Sequence, residues 1–181
     1  MAYVPSDDTS LLVEALSGYR GRRCLEIGFG SGAVLESLMG RFSDVVGTDV
    51  MSLDQAREAK GGGGVGVLLA DRASCFRDGV FDLVAFNPPY LPSKGIQDRA
   101  VDGGEGGVEI PLGFLEDALR VLTEVGKVVV LLSEDGDVPA FLRRATGMGA
   151  SAVEVRRKRL FYETLVVYEL SKQRQPNPPS P

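Results

Sequence analysis

The sequence predicts a doubly wound α/β fold on a seven-stranded, mostly parallel sheet that ends in an antiparallel hairpin. Three observations carry this. Short apolar runs alternate with segments of helical spacing along the 181 residues. A glycine-rich turn, "GFGSG", joins the first apolar run to a helix. The last two runs follow one another with no helix between them. Parallel neighbours need a crossover long enough for a helix, whereas a short turn joins antiparallel ones. Such crossovers are right-handed.

Each element has its own warrant. "SDDTSLLVEALSG" has helical apolar spacing, with Ser6 as N-cap and Gly18 past the end. "RRCLEIGF" reads as a buried strand. "SGAVLESLMG" is a helix closed by Gly40, and "DVVGTDV" is the second strand. "SLDQAREAK" opens with a capping box, Ser52 to Gln55. "GGGG" at Gly61–Gly64 is a flexible linker. "VGVLLA" and "FDLVAF" are strands three and four. "IPLGFLEDALRVLTEVG" reads as one helix, with Gly126 near its end, before the strand "KVVVLLS". "VPAFLRRATGMG" is a helix, and "SAVEVRRKRL" and "YETLVVYEL" form the hairpin. Residues 1–171 are expected to be one domain, and the Pro-rich 172–181 a disordered tail.

Composition narrows the function. The chain has no histidine, which excludes histidine bases, histidine triads and histidine metal ligands. Two lone cysteines, Cys24 and Cys75, make neither a metal site nor a disulfide framework. A net charge of −5 argues against a salt-driven grip on phosphates. The basic run Arg156–Arg159 reads as a solvated strand end. No apolar run approaches membrane-spanning length, and no signal peptide is visible, so a cytoplasmic location is expected.

"LEIGFGSGAVLE" places Gly28, Gly30 and Gly32 between strand and helix. Glycine lets a ligand approach the backbone, and a helix start offers free N–H groups. The loop also satisfies the loose dinucleotide pattern, with Asp49 about twenty residues on, so a nicotinamide dehydrogenase stays open. Glu26 inside the strand favours a cationic ligand instead. With Asp49 and Asp71 it puts acidic groups at three successive strand ends. Asp49 suits two ribose hydroxyls. Asp71, with the Arg72 backbone beside it, suits an adenine amino group. The ligand that fits is a nucleoside with a positive charge, S-adenosylmethionine.

"FNPPYLP" then ends the fourth strand. Proline cannot donate to a sheet ladder, and a residue before proline is held extended. The Asn87 side-chain carbonyl and the Pro88 backbone carbonyl can each accept one N–H of a planar nitrogen. Tyr90 can pack its ring on that planar group. Asp102 is a candidate for proton acceptance or substrate binding. The run Gly103–Gly107 either admits a substrate backbone or forms a mobile lid.

With "LEIGFGSG", Asp49, Asp71 and "NPPY" together, the chain resembles the class I S-adenosylmethionine-dependent methyltransferases. Within them it is similar to the HemK/PrmC glutamine methyltransferases. "YVPSDDTSLLVEAL", "FNPPYLP", "VDGGEGGVEIPLGFLEDA" and "RKRLFYETLVVYEL" follow that group's order over roughly residues 3–170. The resemblance implies cofactor contacts from Tyr3, Pro5, Asp8, Thr9, Glu26, Gly28, Gly30, Gly32, Asp49, Val50, Asp71, Arg72 and Asn87. It implies Asn87, Pro88 and Tyr90 at the reacting nitrogen, and substrate contacts from Asn87, Pro89, Tyr90, Asp102, Gly103 and Gly104. Bacterial members carry an N-terminal helical domain for which this sequence has no room, so the short archaeal and eukaryotic branch is expected. That branch implies methylation of the Gly-Gly-Gln glutamine of a class 1 release factor, with a small zinc-binding activator subunit. The compressed "GGGG" linker and the short loop after "NPPY" depart from the pattern. The third strand, Val65–Ala70, carries no charge and no proline and is expected at a sheet edge, which suggests the activator's position. The main rival is transfer to an adenine or guanine amino group in DNA or RNA; lysine methylation and a catalytically dead binding module are weaker ones.

Overall fold

The structure, a computed structural model, describes residues 6–50, 65–95, 98 and 101–173. Seven strands form the main sheet: β1 (Gly21–Ile27), β2 (Phe42–Asp49), β3 (Val65–Leu69), β4 (Phe81–Phe86), β7 (Leu122–Ser133), β8 (Ala150–Arg159) and β9 (Thr164–Lys172). Their order is β3-β2-β1-β4-β7-β9-β8. The first five run parallel, and β9 runs antiparallel to both β7 and β8. Two short strands, β5 (Leu91–Pro92) and β6 (Asp102–Gly104), pair separately.

The central strands are apolar at successive residues because both sheet faces are covered. On one face Leu25, Ile27, Val84, Val128 and Val130 pack with α3 (Glu109–Val121) and α4 (Val138–Gly147). On the other, Cys24, Leu83, Ala85, Val129 and Leu131 pack with α1 (Asp7–Leu16) and α2 (Ala33–Leu38). Cys24 is fully buried there, as its strand predicts. No helix among the described residues is long and apolar enough to cross a membrane.

Three local expectations change. The helix expected over 110–126 stops at Val121, and Leu122 already belongs to β7. Leu122 is fully buried opposite Phe81, after which pairing resumes at Leu83 with Lys127. The chain bulges between those registers. Gly126 is required there, because a Cβ would come within 2.7 Å of the Leu122 side chain and 3.0 Å of the Phe81 carbonyl oxygen. Ser6 does occupy the N-cap position of α1, but its hydroxyl bonds the Asp8 and Thr9 side chains rather than a backbone N–H. Asp8 takes the Thr9 N–H instead, at 2.6 Å. The helix expected over 31–40 shortens to Ala33–Leu38, and Gly40 follows it at φ +76°. The capping box at Ser52, the Gly61–Gly64 linker and the tail beyond Gln173 lie outside the described residues.

Candidate active site

The site forms at the C-terminal ends of β1, β2 and β4, where open α/β sheets hold their ligands. Thr9, Glu26, Gly28, Phe29, Gly30, Ser31, Val34 and Asn87 line one cleft. The glycine loop is held from both sides. Gly28 and Phe29 N–H groups donate to the Thr48 carbonyl at 2.7 and 3.3 Å, and Gly30 N–H donates to Asp49 Oδ2 at 3.1 Å. Gly28, Gly30 and Gly32 all have positive φ, which a side chain would strain. On β2, Gly47 leaves room for Phe29 and Leu35, since a Cβ there would lie within 3 Å of both side chains.

Glu26 is only 4% exposed and faces this cleft. Burial pushes its carboxyl well above the usual range, against a hydrogen bond from the Leu35 backbone, and the Asp49 charge adds to the rise. Its Oε2 has no hydrogen-bond partner. The sequence suggested a carboxylate at this position; burial favours the protonated acid, and a cation would shift it toward the charged form.

Asn87 follows β4 directly. Its Nδ2 donates to Asp8 Oδ2 at 2.7 Å, while its Oδ1 is buried without a partner. Glu26 Oε2 and Asn87 Oδ1 are therefore two buried oxygens without a hydrogen-bond partner on residues that line the same cleft. Unpaired buried acceptors are costly, so this pair fits a ligand that brings donors and positive charge. Tyr90 is half-buried beside the layer that holds α1. Burial, with the charges of Glu163, Asp8 and Asp135, pushes its phenol well above its ordinary value, so it stays neutral.

Other predicted residues lie elsewhere. Asp49 holds the glycine loop. Asp71 is exposed past the end of β3, and Arg72 adopts φ +48° with its guanidinium between Asp71 (3.5 Å) and Asp117 of α3 (3.3 Å). Neither they nor Val50, which is 56% exposed, lines the cleft. Tyr3 and Pro5 fall outside the described residues. Asp102 Oδ2 accepts the Asp98 N–H at 2.8 Å. Within the basic run, Arg157 pairs with Glu134 and Glu154, and Lys158 with Asp7.

The glycine run has an internal explanation. Gly103, Gly104 and Gly107 are buried, and β5 and β6 bind them to the stretch after Tyr90 through Leu91 N–H to Val101 O (2.9 Å) and Ser93 N–H to Gly104 O (3.0 Å). A Cβ on Gly103 would stand 2.8 Å from Tyr90 Cα, and one on Gly107, at φ +69°, 2.2 Å from Tyr90 O. The run is packed backbone to backbone behind Asn-Pro-Pro-Tyr. Gly107→Ala is accordingly expected to cost about 1–3 kcal/mol from overpacking alone, and more with the left-handed strain. A melting curve checks this: an unchanged Tm would show that the run is not tightly packed.

Sequence reasoning missed Phe29, Ser31 and Val34 as cleft walls and the Asp8–Asn87 bond. The first three sit in or beside the glycine motif and were readable from it. The bond joins residues 79 positions apart, and no local pattern signals it.

The sheet itself separates the two cofactor classes. A dinucleotide fold continues with parallel strands, whereas here antiparallel β9 lies between β7 and β8. The comparisons agree. A release factor glutamine methyltransferase from Bradyrhizobium diazoefficiens is 35% identical, aligned over 70% of this chain and 51% of its own length. A putative protein N5-glutamine methyltransferase from Methanocaldococcus jannaschii is 27% identical, over 91% of this chain and 89% of its own. Among solved structures, a chain of the E. cuniculi Mtq2-Trm112 complex, described as responsible for methylating the eRF1 translation termination factor, matches with a TM-score of 0.79. It is 27% identical and aligns over 94% of this chain and 98% of that one. The fold is that of the class I S-adenosylmethionine-dependent methyltransferases, and within them the chain is similar to release factor glutamine methyltransferases, the HemK/PrmC type. No protein-family model matches it. The chain spans about half the length of the Bradyrhizobium relative.

S-adenosylmethionine is the cofactor of this family, and the residues present fit it. Glu26 offers a buried carboxyl in the cleft, the glycine loop leaves its backbone bare, and Asp49 stands at the end of the neighbouring strand.

Proposed function

We propose that the chain methylates the side-chain amide nitrogen of a protein glutamine, that of the Gly-Gly-Gln motif of a class 1 release factor, in complex with a small zinc-binding activator. The observation that carries the reading is Asn87, which lines the cation-suited cleft and whose Nδ2 is held by Asp8 while its buried Oδ1 has no partner. When bound, S-adenosylmethionine supplies an electrophilic methyl on a positively charged sulfur.

An amide nitrogen is a weak nucleophile because its lone pair is delocalised, so orientation is what the protein must provide. Asn87 Oδ1 and the Pro88 carbonyl oxygen each accept one N–H of the target amide. Two acceptors in fixed positions turn the lone-pair density toward the methyl. Such positioning is worth up to roughly 7–11 kcal/mol in favourable systems. As the N–C bond forms and the S–C bond breaks, positive charge grows on nitrogen, and the same oxygen dipoles stabilise it. The nitrogen then loses its proton readily to water. A protein base of ordinary strength is not needed, in keeping with a chain without histidine and a Tyr90 that stays neutral.

In this reading the activator docks at β3. That strand is one of the two edges of the sheet, Leu68 and Leu69 are 44% and 55% exposed, and Val50 just beyond β2 is exposed too. Unpaired apolar edges invite pairing with another chain. The Mtq2-Trm112 complex supports a small partner for a protein of this shape.

Transfer of a radiolabelled methyl group to release factor, tRNA and DNA, with and without a zinc-binding activator, tests the whole reading. Label is expected on the glutamine of Gly-Gly-Gln, and to rise when the activator is added. Label confined to nucleic acid overturns the substrate, and full activity of the isolated monomer removes the need for an activator.

A further inference from the structure

An asparagine amide is nearly symmetric in shape, and a half-turn exchanges its oxygen for its NH2. Only one orientation is useful for transfer. With Oδ1 forward, Asn87 accepts from the target N–H; with Nδ2 forward, donor faces donor. Something must choose between the two.

We propose that Asp8 is the positioning residue that makes this choice: its carboxylate captures Asn87 Nδ2 and so forces Oδ1 toward the target nitrogen. The inference rests on the reading of Asn87 given above. A carboxylate accepts only, so it cannot satisfy the flipped amide. Its Oδ2 lies 2.7 Å from Nδ2, within the charge-assisted range. Its Oδ1 is engaged by the Thr9 N–H at 2.6 Å and by the Ser6 hydroxyl, so the acceptor is braced from the far side. Burial pushes the Asp8 carboxyl up, but the hydrogen bonds from Ser6, Asn87 and Thr9 outweigh it and hold the group below its usual range, in the charged form. A purely structural pair would leave the amide satisfied at both ends. Here Oδ1 remains buried and unpartnered on a residue that lines the cleft, beside Thr9 from the Asp8 helix.

Asp8→Asn and Asp8→Ala test this in the full chain, with the activator present if the wild type requires it. Asn at position 8 keeps the size and can still hydrogen-bond, but either donates or accepts, so the orientation is no longer enforced. Asp8→Asn is expected to lower kcat about tenfold, a loss of ~1.4 kcal/mol in the transition state. Asp8→Ala should lose at least as much. The KM for protein substrate and the Kd for cofactor should stay within about threefold, because the residue acts through Asn87. An unchanged kcat in Asp8→Asn overturns the proposal, as does a loss carried wholly by cofactor Kd. A second measurement needs no activity. The Asn87 side-chain amide protons, assigned in 15N–1H spectra by their loss in Asn87→Ala, should be shifted and slow to exchange in the wild type. In Asp8→Ala they should exchange rapidly; unchanged signals there overturn the proposal. If the wild type methylates no glutamine, the functional reading fails, and the amide spectra alone decide whether Asp8 holds Asn87.

Discussion

Asn87→Ala is expected to lower kcat by roughly 10²–10³-fold or more, the usual cost of removing one preorganised polar group that acts on the transition state. Cofactor affinity should stay nearly intact. The physical reason is local. The variant removes Oδ1, a buried acceptor without a protein partner, and leaves Glu26 and the glycine loop in place. It also strips Asp8 of one of its hydrogen bonds, without touching the Thr9 and Ser6 contacts. The test is a pair of measurements on one preparation, single-turnover transfer and calorimetric binding of S-adenosylmethionine. Should affinity collapse in step with the rate, Asn87 holds the cofactor rather than the target amide.

Glu26→Gln is expected to have opposite effects on stability and on binding. Glu26 is buried, and burial favours its acid form. The folded chain therefore holds this proton more tightly than the unfolded chain does. The stability this site contributes is complete below the ordinary carboxyl range and is lost as pH rises toward the folded pKa. Glutamine has the same shape without the titration. At neutral pH the variant should match or exceed the wild-type Tm, by roughly 2–4 °C for each kcal/mol recovered. Binding should go the other way. A cationic ligand favours the charged form of Glu26, so cofactor binding should release a proton and strengthen as pH rises. Hydrogen bonds to charged groups contribute about 1.5–3 kcal/mol, so Glu26→Gln should weaken Kd by roughly 10–100-fold. Calorimetry in two buffers of different ionisation enthalpy reads the proton directly. A wild-type binding enthalpy independent of buffer, or a Glu26→Gln Kd equal to wild type, would show that Glu26 does not meet the ligand's charge.

Much of this was legible in the sequence because it is short-range chemistry. Strand and helix alternation follows from apolar spacing, and the mostly parallel sheet follows from connections long enough to hold a helix. "LEIGFGSG" announces a bare backbone after a strand that carries a carboxylate. "NPPY" announces stiff acceptors at a strand end, since two prolines remove donors and restrict what precedes them. The end of α3 was less legible. Residues 122–126 continue a helical pattern, yet Leu122 is drawn into β7 by burial opposite Phe81, a partner 41 positions away. Gly103–Gly107 was also ambiguous, because glycine marks any close approach. Only the fold shows that the approaching backbone is that of Tyr90.

By itself, then, the sequence determined the layered α/β scaffold, the glycine loop with its strand carboxylate, and the stiff Asn-Pro-Pro-Tyr end of β4, since each depends on neighbours a few positions apart. Tertiary structure alone decided the charge of Glu26 and the direction of the Asn87 amide. The first depends on how much water the surrounding layers exclude, and the second on a carboxylate that folding brings from α1 to the end of β4.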